Sequence, residues 1–228
     1  MENKTELQPY SVLMSVYSGE KPEFFAQSLE SLYTQTYPAD EIVVVCDGGL
    51  NEQLDGVLEQ YSEKFGGKLK IHRLESHGGT AKCANTGLAI CKNEYIMKMD
   101  SDDICLENRA EKQMTYLAQH PEVSILGSYI QEFDSNTGND IAVRKPPTEN
   151  EAIRKFAKRR APFNNQTLVY KKSLALSIGG YCEELERCED YDFMVRMLIG
   201  GAIAANIPEV LVRYRVCLLY TSDAADEA

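Results

Sequence analysis

An α/β fold with a mostly parallel, Rossmann-like sheet flanked by helices is predicted for this chain of 228 residues. Short apolar runs alternate with segments of helical period through the first half of the sequence. The run at residues 41–46 is almost continuously apolar, which is typical of a parallel strand buried on both faces. Strands that alternate with helices imply βαβ crossovers, and therefore a parallel sheet.

The first half is predicted to contain four strand-helix units. The apolar runs place strands at residues 11–16, 41–46, 70–74 and 95–99. Apolar residues at helical spacing place helices at residues 25–33, 54–65, 81–91 and 106–120. Tyr37-Pro38 ends the first helical period, and Gly78-Gly79-Thr80 opens the third helix.

The second half is predicted to be smaller and mixed. Strands are expected at residues 123–133, alone or as a hairpin, at 167–170 and at 210–216. A polar loop is expected at 134–147, a basic helix at 149–159 and a helix at 191–199. We therefore expect one domain at 10–216, with two halves at 10–120 and 121–216, after an N-terminal extension at 1–9.

The composition excludes several classes of protein. With a formal net charge of -11, the chain lacks the excess of basic residues that is typical of proteins that bind nucleic acid. The sequence has no apolar run long enough to span a membrane, and its start lacks the apolar core of a signal peptide. We expect a cytoplasmic protein, with peripheral association at the inner face of the membrane left open. Seven cysteines without a CxxC pair favour reduced thiols.

The tetrad Asp100-Ser101-Asp102-Asp103 follows the fourth predicted strand. Clustered carboxylates repel one another and resist burial, so a fold that gathers them at a strand end usually has a cation to offset them. The alternative interpretation is that the tetrad caps the helix that follows, since Asp and Ser are good N-caps. Its position at the carboxyl end of a strand favours a ligand site.

Other polar strand ends are expected at the same edge of the sheet. Val16-Tyr17 ends the first strand, Asp47 follows the second, and Gly78-Gly79-Thr80 precedes the third helix. An aromatic ring, a carboxylate and exposed backbone N–H groups suit a nucleotide. Because the carboxylates would repel bare phosphates, a divalent metal is expected to bridge Asp102 to a diphosphate.

Glu189-Asp190-Tyr191-Asp192 begins the last predicted helix. Acidic residues stabilise a helix N-terminus, and this explains Glu189 adequately. Capping does not explain the second acidic group, and a transferase that acts on a sugar hydroxyl group needs one carboxylate as general base.

Taken in order, these motifs resemble the family 2 glycosyltransferases of the GT-A fold. The resemblance covers residues 10–216 and rests on segments 11–17, 41–49, 79–88, 100–103 and 189–192. It implies inverting transfer from a nucleotide-sugar, usually a UDP-sugar, with Mn²⁺ or Mg²⁺. The acceptor would be a glycan or a lipid-linked saccharide. Residues 10–120 would form the nucleotide-sugar half of the domain, which is the donor half, and residues 121–216 the acceptor half. The more specific resemblance is to bacterial enzymes of capsular, exopolysaccharide or O-antigen synthesis.

The resemblance also implies roles for individual residues. Tyr17 and Asp47 would hold the nucleoside and Asp100 the ribose. Asp102 would bind the metal, and Asp190, supported by Glu189, would deprotonate the acceptor hydroxyl. The complete implied nucleotide-sugar set is Val16, Tyr17, Glu20, Asp47, Lys82, Asn85, Asp100 and Ser101.

The sequence departs from the family pattern at several positions. Ala84 stands where the family often has Arg, so Lys82 is expected to supply that phosphate contact, and Asn165 stands where many members have His. Residues 217–228 are expected to be a non-native tail, in place of a family segment that contains a His.

Two other classes of protein bind nucleotides or metals at similar sheet edges. A Rossmann oxidoreductase needs GxGxxG after the first strand, and residues 15–20 contain one glycine. A catalytically weak or inactive module that binds a nucleotide-sugar or a metal stays open, because binding does not need Asp190.

Overall fold

The computed structural model describes residues 7–185 and 187–217. Its strands are β1 Tyr10–Tyr17, β2 Glu41–Asp47, β3 Leu69–Arg73, β4 Tyr95–Asp100, β5 Ile104–Cys105, β6 Val123–Asp134, β7 Asp140–Arg144, β8 Val169–Lys171 and β9 Ile203–Val216. Its helices are α1 Pro22–Tyr33, α2 Glu52–Phe65, α3 Gly79–Ile90, α4 Arg109–Gln119, α5 Asn150–Phe156, α6 Lys172–Ser177 and α7 Glu189–Ile199.

One twisted sheet runs through the described chain in the order β3-β2-β1-β4-β8-β6-β9-β5, with β7 paired to β6. The first four strands in this order are mutually parallel. Strand β8 is antiparallel to both β4 and β6, and β6 is parallel to β9. The predicted parallel sheet of the first half and the mixed character of the second half are therefore confirmed.

Apolar cores lie on both faces of the sheet because alternate residues of each strand point to opposite sides. Val12 and Met14 of β1 face the core that α1, α2 and α4 cover, whereas Leu13 faces the core that α3, α5 and α7 cover. Every residue of β2 is buried, which explains its continuous apolar run.

The second half differs from the prediction in two strands. The predicted polar loop at 134–147 contains β7, whose residues are all exposed and so leave no apolar alternation to detect. Strand β9 begins at Ile203, well before the predicted start at residue 210. Its pairing with β6 is irregular between Ser128 and Tyr129, where Pro208 interrupts the ladder.

Three further elements were predicted with the wrong length or missed. Helix α5 ends at Phe156 and is shorter than the predicted helix at 149–159. The two-residue strand β5 and the six-residue helix α6 are too short to show a period in the sequence.

The predicted halves share this single sheet, so the boundary at residue 120 stays a prediction. Residues 218–228 lie outside the described residues, and their expected non-native origin also stays a prediction. All seven cysteines are free. Within residues 7–185 and 187–217, every helix is too short or too polar to cross a membrane.

Candidate functional site

A cavity of about 620 Å³ opens at the carboxyl ends of β1, β2 and β4. Most of the residues that the sequence singles out for nucleotide-sugar and metal binding line it: Val16, Tyr17, Glu20, Asp47, Asp100, Ser101 and Asp102. The predicted convergence of the strand ends at one edge of the sheet is confirmed. What each side chain binds stays a prediction.

The register of the parallel strands brings these residues together. Tyr17 is paired with Asp47 across β1 and β2, and Ser15 is paired with Asp100 across β1 and β4. The Tyr17 side chain is 51% exposed, so its ring is available to a ligand. A Cβ at Gly19 would lie 2.5 Å from that ring, so a larger residue there would require the ring to move.

Asp47 organises the start of α3. Its Oδ1 accepts a hydrogen bond of 2.6 Å from the Gly78 backbone N–H, and its Oδ2 accepts one of 3.1 Å from the Gly79 N–H. His77 Nδ1 lies 2.8 Å from the same Oδ2. Because Asp47 caps a helix N-terminus, its negative charge is favourable there without a ligand.

The acidic tetrad does not cap the following helix, since α4 has Asn108 at its N-cap position. The tetrad residues instead contact other parts of the site. Ser101 Oγ donates a 2.6 Å hydrogen bond to Glu20, and Asp103 Oδ1 accepts a 2.8 Å bond from the Arg215 backbone N–H. The capping interpretation is therefore wrong.

Arg215 of β9 contacts the backbone of the tetrad directly. Its Nε donates to the Asp102 carbonyl oxygen at 2.7 Å, and its Nη2 donates to Gln27 at 2.7 Å. The guanidinium is held 3.8 Å from the centroid of the Phe24 ring. These contacts join the last described strand to the site.

Two carboxylates of the tetrad, those of Asp102 and Asp103, have raised pKa values. Burial, followed by the charges of Asp100 and Glu20, raises the pKa of Asp102 from 3.8 to about 6. Burial, followed by the charges of Asp100 and Asp102, raises the pKa of Asp103 well above its ordinary value. The cavity floor therefore carries negative charge that its own cations do not fully offset.

A divalent cation fits this floor if a ligand shares it. Within the described parts of the chain, no three His, Cys, Asp or Glu side chains converge as a complete protein cage. Mg²⁺ usually takes one or two carboxylates together with substrate phosphates. The Asp102 carboxylate, whose ionised form is disfavoured in the metal-free site, suits that arrangement, and its metal role stays a prediction.

The second acidic motif lies in the first turn of α7. Cys188 at its N-cap has φ of 62°, the one positive value among the non-glycine residues that the structure describes. Such strained backbone is often found at functional sites. Glu189 lines a cavity of about 380 Å³ that shares His77, Gly79 and Thr80 with the larger one.

Asp190 and Asp100 both influence the buried Tyr181 hydroxyl group. Burial and the adjacent Tyr170 hydroxyl group raise its pKa most, and the charges of Asp100 and Asp190 raise it further. Asp192 is in an ion pair with Arg196 at 2.7 Å, which leaves Asp190 as the better candidate base in this turn.

Lys82 and Asn85 are not among the residues that line the larger cavity. The Asn85 amide group bonds both backbone groups of Tyr181, accepting from its N–H at 2.7 Å and donating to its carbonyl at 2.9 Å. Gly180 has φ of 69°, and a Cβ there would lie 2.4 Å from Asn85 Oδ1. Asn85 therefore positions the loop before α7. The contacts of Lys82 and Asn85 with the nucleotide-sugar stay predictions.

Sequence reasoning gave no donor-site role to several residues on the cavity wall: Ser15, His77, Cys83, Asn165 and Tyr214. His77 directly precedes the glycine pair, and that position is the signal that could have found it. Tyr214 comes from β9, which is distant in sequence from the other wall residues and carries no motif there.

The comparisons with known proteins agree with this architecture. The sequence model of "Glycosyl transferase family 2" matches residues 11–176. An uncharacterized glycosyltransferase of Haemophilus influenzae is 41% identical over 207 residues, which are 91% of this chain and 76% of the relative. The amylovoran biosynthesis glycosyltransferase AmsE of Erwinia amylovora is 41% identical over 90% of this chain and 76% of its own length.

A third relative has a named reaction. The UDP-Gal:alpha-D-GlcNAc-diphosphoundecaprenol beta-1,3-galactosyltransferase of Escherichia coli is 33% identical over 90% of this chain and 74% of its own length. Among solved structures, S. aureus TarS 1-349 in complex with UDP-GlcNAc superposes with a TM-score of 0.75 at 21% identity. That match covers 91% of this chain and 58% of TarS 1-349, and it confirms the predicted fold class.

The first prediction from the site concerns Asn85. We expect Asn85→Ala to lower the free energy of unfolding by about 1 to 3 kcal/mol, because the Tyr181 backbone groups lose their partners. The loop that leads to Asp190 would also lose its anchor, so kcat should fall. Urea unfolding and steady-state kinetics measure the two effects.

Asn93→Ala is the matched control, since Asn93 bonds Asp40 at the other end of β4. It should alter stability without lowering kcat. Unchanged turnover in Asn85→Ala would show that the loop does not need this anchor.

The second prediction concerns pH. Asp102 has a pKa of about 6 in the folded protein, whereas its pKa in the unfolded chain is near 3.8. Because the folded state binds this proton more tightly, the free energy of unfolding of the metal-free protein falls as the pH rises through that interval. Asp102→Asn cannot titrate. In EDTA it should be more stable than the parent protein at pH 7.5, by roughly 1 to 3 kcal/mol, and this difference should shrink towards pH 4. Urea unfolding across this pH range measures it, and a difference that does not change with pH would contradict the assignment.

Proposed function

The chain belongs to the glycosyl transferase family 2, and from that premise we propose that it is a metal-dependent, inverting glycosyltransferase of cell-surface polysaccharide synthesis. The donor is a nucleotide-sugar, specifically a UDP-sugar. The acceptor is a hydroxyl group of a glycan or a lipid-linked saccharide. The observation that carries this proposal is the acidic cavity that β1, β2 and β4 build at their carboxyl ends.

The relatives support the choice of substrates. The named Escherichia coli relative uses a UDP-sugar and an acceptor linked to a lipid through a diphosphate, and the Erwinia relative acts in amylovoran biosynthesis. TarS, whose likeness concerns the fold alone, has been solved with UDP and with UDP-GlcNAc. Residues 7–185 and 187–217 contain the cavity that such a donor needs.

The donor half would bind the nucleotide by stacking and hydrogen bonding. The exposed Tyr17 ring offers a face to the base, and Asp100, paired across the sheet from Ser15, can accept from ribose hydroxyl groups. Asp102 would hold Mn²⁺ or Mg²⁺. When bound, this cation stabilises the negative charge that develops on the departing nucleoside diphosphate.

The acceptor half would supply the base. Asp190 takes the proton of the acceptor hydroxyl group as its oxygen attacks the anomeric carbon from the face opposite the diphosphate. One such displacement inverts the anomeric centre. Asp192 is in an ion pair with Arg196. By contrast, Oδ1 of Asp190 accepts a hydrogen bond from the Tyr191 backbone N–H. Glu189 would support it from the rim of the adjoining cavity.

The third prediction tests the donor site. We expect UDP to raise the melting temperature only in the presence of Mn²⁺ or Mg²⁺, because the acidic floor repels bare diphosphate. At a ligand concentration of 100 Kd the stabilisation would be about 2.7 kcal/mol. Thermal melts with UDP in Mn²⁺ and in EDTA measure it.

Two variants give this test its controls. Asp102→Ala should abolish the metal-dependent shift, whereas Glu63→Ala, at an exposed position of α2, should keep it. Equal shifts by UDP in EDTA and in Mn²⁺ would rule out a metal bridge between Asp102 and the diphosphate.

The fourth prediction tests the base. Asp190→Asn keeps the size and polarity of the side chain but cannot accept the proton. It should lower kcat by roughly 10² to 10⁴ and leave the affinity for the UDP-sugar within a few-fold, as measured by turnover and by calorimetry.

Glu189→Gln should cost less turnover, since Glu189 is assigned a supporting role. Full turnover in Asp190→Asn would refute the base assignment. Loss of donor binding together with turnover would instead place Asp190 in the donor site.

A further inference from the structure

The basic segment that the sequence analysis singled out has no role in the proposed reaction. Lys155, Lys158, Arg159 and Arg160 are exposed, and none of them has an ion-pair partner among the described residues. Elsewhere, many basic residues are in ion pairs: Lys64, Lys70, Arg73, Lys92, Lys112, Arg144, Arg196 and Arg213. In a chain of net charge -11, clustered cations without partners are available to an external anion.

This segment is fixed beside the acceptor half of the site. The Tyr191 hydroxyl group, next in sequence to Asp190, donates a 2.6 Å hydrogen bond to the Ala157 carbonyl oxygen. A few residues further along the chain, Asn165 lines the donor cavity. The chain between these two contacts carries Lys158, Arg159 and Arg160, so the cations lie at the border of the site.

Exposed apolar side chains accompany the cations. Phe156 is 37% exposed, between Lys155 and the rest of the basic segment. Arg154 of α5 donates hydrogen bonds to the carbonyl oxygens of Leu198 and Ala202. Each of these residues is followed by an exposed isoleucine: Ile199 is 78% exposed and Ile203 is 41% exposed. We call Lys155, Phe156, Lys158, Arg159 and Arg160 the basic face.

We propose that the basic face binds the anionic headgroups of a lipid bilayer and so holds the acceptor side of the site against a membrane. Cations mixed with exposed apolar side chains are typical of an interfacial surface. A single diphosphate group needs fewer cations and no apolar side chains, so the extended face fits a bilayer better. Carboxylates elsewhere on the surface are screened beyond about 8 to 10 Å at physiological salt.

Binding to the bilayer does not depend on the reaction, whereas the idea that the same bilayer carries the acceptor rests on the proposed function. The test is therefore co-sedimentation with vesicles in the absence of donor and acceptor. The probes are vesicles of phosphatidylcholine alone and vesicles of equal parts phosphatidylcholine and phosphatidylglycerol.

We expect the protein to sediment with the mixed vesicles at low ionic strength and to be released from them by salt. It should not sediment with vesicles of phosphatidylcholine alone. Replacing Lys155, Lys158, Arg159 and Arg160 by Gln should weaken partitioning at least tenfold, since each basic residue near an anionic surface contributes roughly a fivefold factor. Arg159→Gln with Arg160→Gln should give an intermediate loss. The matched control replaces the same number of cations remote from the face, Lys64, Lys68, Lys92 and Lys112, and should stay close to the parent protein.

Failure of the parent protein to bind the mixed vesicles, or equal binding by the four-residue variant and the parent, would overturn the proposal. Release by inorganic phosphate far beyond that by chloride at equal ionic strength would also overturn it, because the cations would then bind a discrete phosphate group. The UDP melting shift of each variant is measured in parallel. A variant that keeps this shift but loses vesicle binding separates the basic face from the donor site.

Discussion

Electrostatic repulsion among the carboxylates at the strand ends is the constraint on which the site depends. Glu20, Asp47, Asp100 and Asp102 share one cavity, and the buried Asp103 lies behind them. The fold meets this repulsion with fixed donors: backbone N–H groups of Gly78 and Gly79 for Asp47, the Ser101 hydroxyl group for Glu20, and the Arg215 backbone N–H for Asp103. Asp102 is compensated by a backbone N–H and by the charge of Arg215, yet its pKa, like that of Asp103, stays raised because burial and the neighbouring carboxylates outweigh these contacts.

That distribution separates structural carboxylates from available ones. Asp47 and Asp103 hold parts of the fold together, since Asp47 fixes the start of α3 and Asp103 binds the end of β9. Asp100 and Asp102 remain on the cavity floor. A site that binds its cation together with a substrate diphosphate needs this division, because a fully compensated carboxylate would gain little from a metal.

Helix α3 connects the two acidic motifs. Its N-terminus is capped by Asp47 from the donor half, and its Asn85 side chain binds the backbone of Tyr181, in the loop before α7. Tyr181 stacks on Phe193 of α7 with ring centroids 4.0 Å apart. Asp190 is thereby held at a defined distance from the donor cavity by packing and by backbone hydrogen bonds.

The sequence predicted most of the first half because continuous apolar runs and helical periods are strong, local signals there. It also predicted that Tyr17, Asp47 and Asp100 meet, since carboxyl ends of parallel strands share one edge. It could not predict β7, which is exposed throughout, or the start of β9, where Pro208 and a register shift break the alternation. Tyr214 and Arg215 reach the site only through the long pairing of β9 with β6, which leaves no local motif.

The same reasoning explains why the acceptor side is harder to predict than the donor side. The donor cavity is built from strand ends whose order follows from βαβ connections, whereas the acceptor side is built from short helices and loops fixed by single contacts, such as Tyr191 to Ala157. Those contacts bring a basic, partly apolar surface next to Asp190 although more than thirty residues separate them in sequence. The acidic cavity and the basic face place negative and positive charge on different sides of the molecule. Cations are attracted to the acidic side, and anionic surfaces are attracted to the basic side.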